Sequence, residues 1–222
     1  MCCRCWVPNP ESPVLTRLDL PGAAARWEAL GFSISSSQMR IGQVLCRVGA
    51  SEASWGFDSA DVLISEIASI ASPHGVAGET APASIAHANG AFKIDHVVLA
   101  SDDPVDTTSQ LESFGFVAKG ERVVGDADAQ RSQTFFWSGE LLLELVGPAP
   151  ASGAHSPRAR IWGVTFVVDD LDRLKQAAGS LLGPARDAVQ PGRQIATVGG
   201  DAGVGPKIAF MTPHIRGSSR EK

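Results

Sequence analysis

The sequence lacks the features that mark nucleic-acid-binding and membrane-spanning proteins. Its 222 residues carry a formal net charge of −5, and the 19 Lys and Arg residues are scattered, so no basic face for a polyanion is predicted. No apolar stretch approaches the roughly 20 residues that span a bilayer, and the first residues lack the regions of a signal peptide. With 44% hydrophobic and 19% charged residues, the chain is expected to be an ordinary soluble protein of the cytoplasm.

Cysteine is scarce and poorly placed for a metal or disulfide framework. Cys2, Cys3 and Cys5 crowd the N-terminus, and Cys46 stands alone. A structural zinc site usually needs a second ligand pair, which does not follow here. We expect the first residues to be frayed, and Cys46 to be a small buried hydrophobe within a strand.

Two common catalytic motifs are also missing. The glycine-rich run at residues 199–206 has no Lys-Ser/Thr and no helix after it, so it predicts a hairpin connection rather than a phosphate loop. The sequence contains no G-x-S-x-G motif of the kind that presents a nucleophilic serine.

What the sequence does contain is a repeated order of one strand, one helix and three strands. In the first copy, residues 94–100 form a nearly continuous apolar run, Asp103-Pro104 begins a helix, and Gly115 ends it. Three further strands are predicted, at residues 116–124, 133–137 and 141–146.

The second copy follows the same plan. Residues 161–168 predict a strand, Asp170 caps a helix that Gly183-Pro184 ends, and short strands are predicted at residues 186–190, 194–198 and 207–211. His96 precedes Gly115 by 19 residues, and Gly163 precedes Gly183 by 20. A repeat of this size indicates one supersecondary unit used twice.

These units predict an α+β fold in which paired βαβββ modules form a cup-shaped, curled mixed sheet with the helices outside. Residues 13–60 resemble a weaker third copy, which would pack on its neighbours or on a second chain because an unpaired module exposes a sheet edge. The predicted boundaries are a degenerate module at 1–70, a linker at 71–92, a paired domain at 93–213 with modules 93–148 and 160–213, and a disordered tail at 214–222.

The run from residue 94 to 99, the Phe114-Gly115-Phe116 helix end, and residues 142–145 resemble one module of the glyoxalase, or vicinal oxygen chelate (VOC), superfamily. Residues 161–213 resemble its partner. The resemblance implies that each module gives one metal ligand from its first strand and one from its last, around a divalent ion that stays open to vicinal oxygens of a substrate.

Carried onto this sequence, the resemblance places His96 and Glu144 at the two ligand positions of the first module. The equivalent positions of the second module are Gly163 and Ala209, neither of which can bind a metal. Two protein ligands would hold a catalytic metal poorly, since catalytic zinc usually keeps about three.

Two interpretations of His96 and Glu144 therefore stand side by side. As metal ligands they would suit Zn²⁺, Mn²⁺, Fe²⁺ or Ni²⁺. His155 or His87 could supply a third ligand, although a solvated loop histidine is the simpler interpretation of each. Alternatively, His96 and Glu144 are a mutually satisfied pair that remains where a metal was lost. Strand alternation groups His96 with Ile94 on one otherwise apolar face.

A second polar set could bind substrate at the mouth of the cup. Arg193, on a glycine-bearing turn with Gln190, could clamp a carboxylate or phosphate, and Arg131 and Gln133 occupy the comparable stretch of the first module. Each is equally explained as a surface residue. Trp137 and Trp162 either line a pocket or belong to the core.

Two function classes follow. The first is a divalent-metal lyase, isomerase or dioxygenase in which Glu144 shuttles a proton. The second is a metal-free protein that binds or sequesters a small molecule without turnover, and a purely structural role is a weaker third possibility. The resemblance also makes a homodimer plausible.

Overall fold

The computed structural model describes residues 12–58, 66–67, 70–71, 86–126, 129–149 and 158–214. Cys2, Cys3, Cys5, His155 and the tail beyond residue 214 lie outside the described residues, so the predictions for them stay predictions. The helices are α1 (Ala24–Glu28), α2 (Pro104–Ser113) and α3 (Leu171–Ala178). The strands are β1 (Val14–Pro21), β2 (Gln38–Ile41), β3 (Val44–Ala50), β4 (Ser54–Asp58), β5 (Glu66–Ile67), β6 (Ile70–Ala71), β7 (Ala91–Ser101), β8 (Ala118–Val124), β9 (Arg131–Ser138), β10 (Leu141–Pro148), β11 (Ala159–Val168), β12 (Arg186–Asp187), β13 (Gln194–Thr197) and β14 (Lys207–Met211).

The first module contains β7, α2, β8, β9 and β10, in the predicted order. Its strands pair in the order β7-β10-β9-β8, with β7 and β10 parallel. The Asp103 side chain accepts a hydrogen bond from the Asp106 backbone and caps α2, and Pro104 takes the first helical position. Gly115 ends the helical segment at φ +90°, a conformation that favours glycine.

The second module repeats this arrangement with β11, α3, β12, β13 and β14, paired in the order β12-β13-β14-β11. Asp170 caps α3 by accepting hydrogen bonds from the backbone of Asp172 and Arg173. The strand predicted at residues 186–190 is shorter in the structure, because β12 contains only Arg186 and Asp187.

The two modules join through their first strands, β7 and β11, which pair antiparallel and complete an eight-stranded sheet. The predicted α+β fold of paired βαβββ modules is confirmed. In the register, His96 lies opposite Thr165 and Val98 lies opposite Gly163, so a pseudo-twofold axis through Val97 and Val164 relates His96 to Gly163.

The N-terminal region forms a separate four-stranded sheet in the order β2-β3-β1-β4. Strands β1 and β3 are parallel, as the first and last strands of a module are, but β4 pairs antiparallel on the other side of β1. A complete third βαβββ module is therefore not confirmed. Helix α1 has only five residues, and Trp27 within it and Leu30 just after it are fully buried.

The N-terminal sheet packs against the eight-stranded sheet in one continuous core. Phe32 contacts Phe166 and Phe210 of the second module, with ring centroids 5.1 Å and 5.9 Å away, and Phe57 contacts Phe116 of the first. Cys46 lies in this core as predicted, and burial raises the pKa of its thiol to about 12. These aromatic contacts hold the N-terminal unit, which contains β1–β4 and α1, against the eight-stranded sheet.

The last residues of the linker predicted at 71–92 are instead part of the packed structure, and Ala91 and Phe92 already lie in β7. His87 and Asn89 are buried, and Asn89 donates to the Leu30 carbonyl oxygen. No helix in the described residues has the length and apolar character to cross a bilayer.

Candidate functional site

An open cavity of about 740 Å³ lies on the eight-stranded sheet. Both modules contribute to it, as expected for the interior of the cup. Its lining residues are His96, Lys119, Gly120, Arg122, Gln133, Phe135, Trp137, Leu142, Glu144, Arg186, Asp187, Ala188, Val189, Gln190, Ile195 and Met211. Four of the predicted site residues therefore line one cavity: His96, Glu144, Gln133 and Gln190.

A β-bulge at Asp95 determines the surroundings of His96. Thr165 pairs with His96 and the next residue of β11, Phe166, pairs with Ile94, so Asp95 is an extra residue in β7. The bulge interrupts the alternation of faces. Ile94 therefore joins the main core, and the prediction that it shares the face of His96 is wrong.

Both ring nitrogens of His96 have protein partners. Nδ1 lies 2.9 Å from Asp95 Oδ2, to which it donates, and Nε2 lies 3.0 Å from Thr165 Oγ1. The His96–Glu144 pair considered from the sequence is replaced by these contacts. A carboxylate on Nδ1 holds the imidazole in one orientation, as it does for many functional histidines.

Asp95 is itself held by a buried cation. Arg193 donates through Nη2 to Asp95 Oδ1 at 2.6 Å, and the Arg193 side chain is only 1% exposed. Burial alone would raise the pKa of Asp95, but the hydrogen bonds from His96 and Arg193 outweigh it and lower that pKa to about 2. The carboxylate is thus ionised at every physiological pH.

Arg193 lies in a different place from the predicted clamp at the cup mouth. Its Nε donates to the Thr212 carbonyl oxygen at 2.7 Å, and Nη1 donates to His214 Nε2 at 3.2 Å, so the guanidinium is turned inward. The reason is the half-buried Asp95 carboxylate, which the sequence separates from Arg193 by 98 positions. A direct role in binding substrate stays an untested prediction.

Arg193 instead anchors a short loop at the mouth of the cup. The Arg193 backbone N–H donates to the Gln190 carbonyl oxygen, and its own carbonyl accepts from Ala188. Within this loop Val189 is 82% exposed and lines the cavity together with Gln190. The buried ion pair thus fixes one wall of the cup.

Glu144 lies at the end of a second polar chain. Gln133 donates to Glu144 Oε1 at 2.7 Å, and Arg122 Nε donates to Gln133 Oε1 at 2.5 Å. The Arg122 guanidinium lies over the Phe135 ring, 5.3 Å from its centroid, in cation–π contact. Glu144 and Gln133 therefore belong to one hydrogen-bonded row across β10, β9 and β8.

The residues present do not fit a four-ligand metal site. Glu144 pairs with Val98 in the first module, and in the second Ala209 pairs with Thr165, so the pseudo-twofold axis relates Glu144 to Ala209 and His96 to Gly163. Both second-module positions lack a donor atom. Among the described residues, no group of three or more His, Cys, Asp and Glu side chains could hold a metal ion.

His87 does not supply a third ligand either. Its Nδ1 accepts from the Ser33 backbone N–H at 3.0 Å, and its Nε2 lies 3.1 Å from the Arg40 carbonyl oxygen, within the N-terminal unit. His87 was placed beside the site only because it precedes β7 in the chain. His87 instead attaches the segment 86–90 to the N-terminal unit through Ser33 and Arg40.

Several residues of the site were not predicted. Lys119, Arg122 and Arg186 line the cavity, and Asp95 and Thr165 hold His96. Of these, Arg122 could have been found by pairing β8 with β9, which sets it opposite Gln133. Arg131, which was predicted, is exposed at the start of β9 and does not line the cavity.

The two tryptophans considered from the sequence lie in different places. Trp137 is buried and contributes to the floor of the cavity. Trp162 is 46% exposed and lines a separate groove with Arg160 and Lys207, on another part of the surface.

Solved structures with this architecture share little sequence with the chain. A mutant of 4-hydroxymandelate synthase from Streptomyces coelicolor matches with a TM-score of 0.52 and 11% identity over 93% of each chain. A xylose isomerase-like TIM barrel/4-hydroxyphenylpyruvate dioxygenase fusion protein matches with a TM-score of 0.55 and 14% identity, over 96% of this chain and 51% of its own. Methylmalonyl-CoA epimerase from Mycobacterium tuberculosis matches with a TM-score of 0.42 and 19% identity, over 57% of this chain and 91% of its own.

No family model and no curated protein matches the sequence. At identities this low, the two matches with TM-scores above 0.5 show the fold alone. The predicted resemblance is confirmed at that level, and the chain has the fold of the vicinal oxygen chelate superfamily.

Proposed function

We propose, from this vicinal oxygen chelate fold, that the chain binds a small oxygen-bearing organic molecule in its cup, and that it does so without a catalytic metal. The observation that carries the proposal is the replacement of two ligand positions by Gly163 and Ala209. The remaining two, His96 and Glu144, are already engaged by Thr165 and Gln133. A cavity of about 740 Å³ has the size of a small-molecule site.

The lining supports the same conclusion. Trp137, Leu142 and Met211 are buried and give the cavity an apolar floor, while Gln133 and Gln190 offer amide groups at its wall. Small-molecule sites are commonly apolar, with a few fixed polar groups that orient the ligand. The buried Asp95–Arg193 pair keeps this wall in place before a ligand arrives, which lowers the entropic cost of binding.

A metal-dependent lyase, isomerase or dioxygenase is the second candidate, favoured by the fact that His96 and Glu144 line the same cavity. In that case Zn²⁺, Mn²⁺, Fe²⁺ or Ni²⁺ would supply a Lewis acid, and Glu144 would transfer a proton. The absence of donors at Gly163 and Ala209 counts against it.

Metal content separates the two candidates. The purified chain is dialysed against each of the four ions in turn and measured by plasma mass spectrometry, beside the variants His96→Ala and Glu144→Gln and the exposed control Glu140→Gln. We expect no bound metal above the level of the His96→Ala variant. Near-stoichiometric metal that both site variants lose and the control keeps would overturn the metal-free proposal.

Ligand binding is tested directly by the fluorescence of Trp137. A library of small carboxylic acids, 2-oxo acids, diols and aromatic acids is titrated into the chain and into Trp137→Phe. We expect at least one compound to change the fluorescence of the parent chain and not that of the variant. A cup that binds none of these classes contradicts the proposal.

Assembly and location belong to the same proposal. A homodimer and a cytoplasmic location are both consistent with it, and sedimentation velocity on the untagged chain tests the first. A single species with the mass of one 23.2 kDa chain would contradict the dimer.

A further inference from the structure

The walls of the cavity carry a charge opposite to that of the chain as a whole. Lys119, Arg122 and Arg186 line it against two carboxylates, Glu144 and Asp187, so cations outnumber anions three to two. The complete chain has a formal charge of −5. One of the two carboxylates, Glu144, already accepts a hydrogen bond from Gln133. The mouth of the cup is thus a local exception to an acidic protein.

Arg122 is held in an orientation that suits an anion. Its Nε is fixed on Gln133 Oε1 at 2.5 Å, and its guanidinium lies over the Phe135 ring. Within the described part of the chain, neither terminal amino group of Arg122 has a hydrogen-bond acceptor. A guanidinium fixed at Nε still offers N–H groups to one carboxylate or phosphate.

The apolar floor continues directly from this cation. Phe135 lies beneath the Arg122 guanidinium, and Trp137 follows on the same face of β9, next to Leu142 of β10. A ligand that reaches Arg122 from inside the cup therefore places its remaining atoms on aromatic and aliphatic side chains. Free acids or phosphates with no apolar part would leave this floor unused.

We propose that the cup binds an organic anion whose apolar body packs on Trp137 and Leu142 and whose carboxylate or phosphate pairs with Arg122. Lys119 and Arg186, both exposed at the mouth, add attraction that salt screens. This inference rests on the proposed function and deepens it by naming the ligand class.

The test uses 2-naphthoate, 2-naphthyl phosphate and the uncharged 2-naphthamide as probes, titrated into the full chain by calorimetry. These three share one apolar body and differ in the charge of the head group. We expect one or both anions to bind roughly tenfold or more tightly than the amide, as hydrogen bonds to charged groups imply. The anion that binds more tightly identifies the head group as carboxylate or phosphate.

Arg122→Gln is the site variant, and Arg160→Gln is its matched control, because Arg160 is exposed and lies in the separate groove beside Trp162. We expect Arg122→Gln to lose most of the preference for the anion and Arg160→Gln to keep it. Arg122→Lys, which retains the charge without the fork, should retain part of it. Thermal unfolding of each variant reports whether the fold is intact.

Three results would overturn the inference: equal binding of anion and amide, no binding of any of the three probes, or equal losses in Arg122→Gln and Arg160→Gln. If anion and amide bind equally and both change the fluorescence of the parent chain but not that of Trp137→Phe, binding in the cup is shown and the proposed function stands without the charge preference. The charge preference and the existence of the binding site are thus tested separately.

Discussion

The ion pair between the buried Arg193 and the half-buried Asp95 should make a large contribution to stability, and Asp95→Asn tests it. The variant keeps the shape of the side chain but removes the negative charge, and leaves the Arg193 guanidinium, 1% exposed, without its ionic partner. Removing one member of a buried ion pair typically costs about 3–5 kcal/mol. Because an amide oxygen can still accept from Arg193, we expect about 3 kcal/mol at pH 7, the lower end of that range.

The pKa of Asp95 gives an independent magnitude. Hydrogen bonds from His96 and Arg193 bring it from 3.8 to about 2 despite the opposing effect of burial. At about 1.4 kcal/mol per pKa unit, this depression corresponds to about 2 kcal/mol. Both figures place the contribution of the pair at about 2–3 kcal/mol.

Urea unfolding at pH 7 measures this loss, with Glu140→Gln as the control for removal of one carboxylate. Glu140 pairs with Lys93 at 3.4 Å but is 76% exposed, so its loss should cost less than about 1 kcal/mol. If Asp95→Asn and Glu140→Gln destabilise the chain equally, the buried pair does not contribute as argued.

Acid unfolding supplies the sign of the same effect. Because the pKa of Asp95 is lowered on folding, its contribution is fully present above the unfolded value of 3.8 and is lost as pH falls toward about 2. The parent chain should therefore lose stability more steeply than Asp95→Asn over this window. Parallel acid limbs for the two proteins would contradict the assignment.

Two further predictions concern other parts of the molecule. Gly163→His combined with Ala209→Glu should create a binding site for Zn²⁺ or Ni²⁺, because the pair restores a donor at both second-module positions and a Cβ at residue 163 would meet only ordinary contacts of 3.4 Å or more. Calorimetric titration of the double variant and of each single variant checks this. Metal binding by a single variant alone would contradict it. Burial lowers the pKa of His87 below 6.5 despite the opposing hydrogen bond to the Arg40 carbonyl. The stability that this residue contributes should therefore be complete above pH 6.5 and fall as pH drops through the lowered pKa. A ring NMR titration of His87 with a midpoint above 6.5 would refute this.

Local signals in the sequence determined the two βαβββ modules and the equivalence of positions between them. Asp103-Pro104 and Asp170 cap helices through backbone groups only two or three residues away, and Gly115 ends a helix through its own φ. Such signals need no knowledge of the rest of the chain. The spacing matched His96 with Gly163 and Glu144 with Ala209, and the family resemblance placed His96 and Glu144 at one site, where both line the same cavity.

Only the tertiary structure decided which side chains contact one another in the site. The bulge at Asp95 exists because β11 pairs with β7 with a shift of register, and this pairing turns Asp95 toward Arg193, 98 positions away. Arg193, which was predicted to clamp a ligand, therefore anchors the loop at residues 188–193 instead. Strand β4 likewise took the free edge of β1 rather than completing a module. Each outcome depends on which distant charge or strand edge becomes a neighbour after folding, and local periodicity carries no information about that choice.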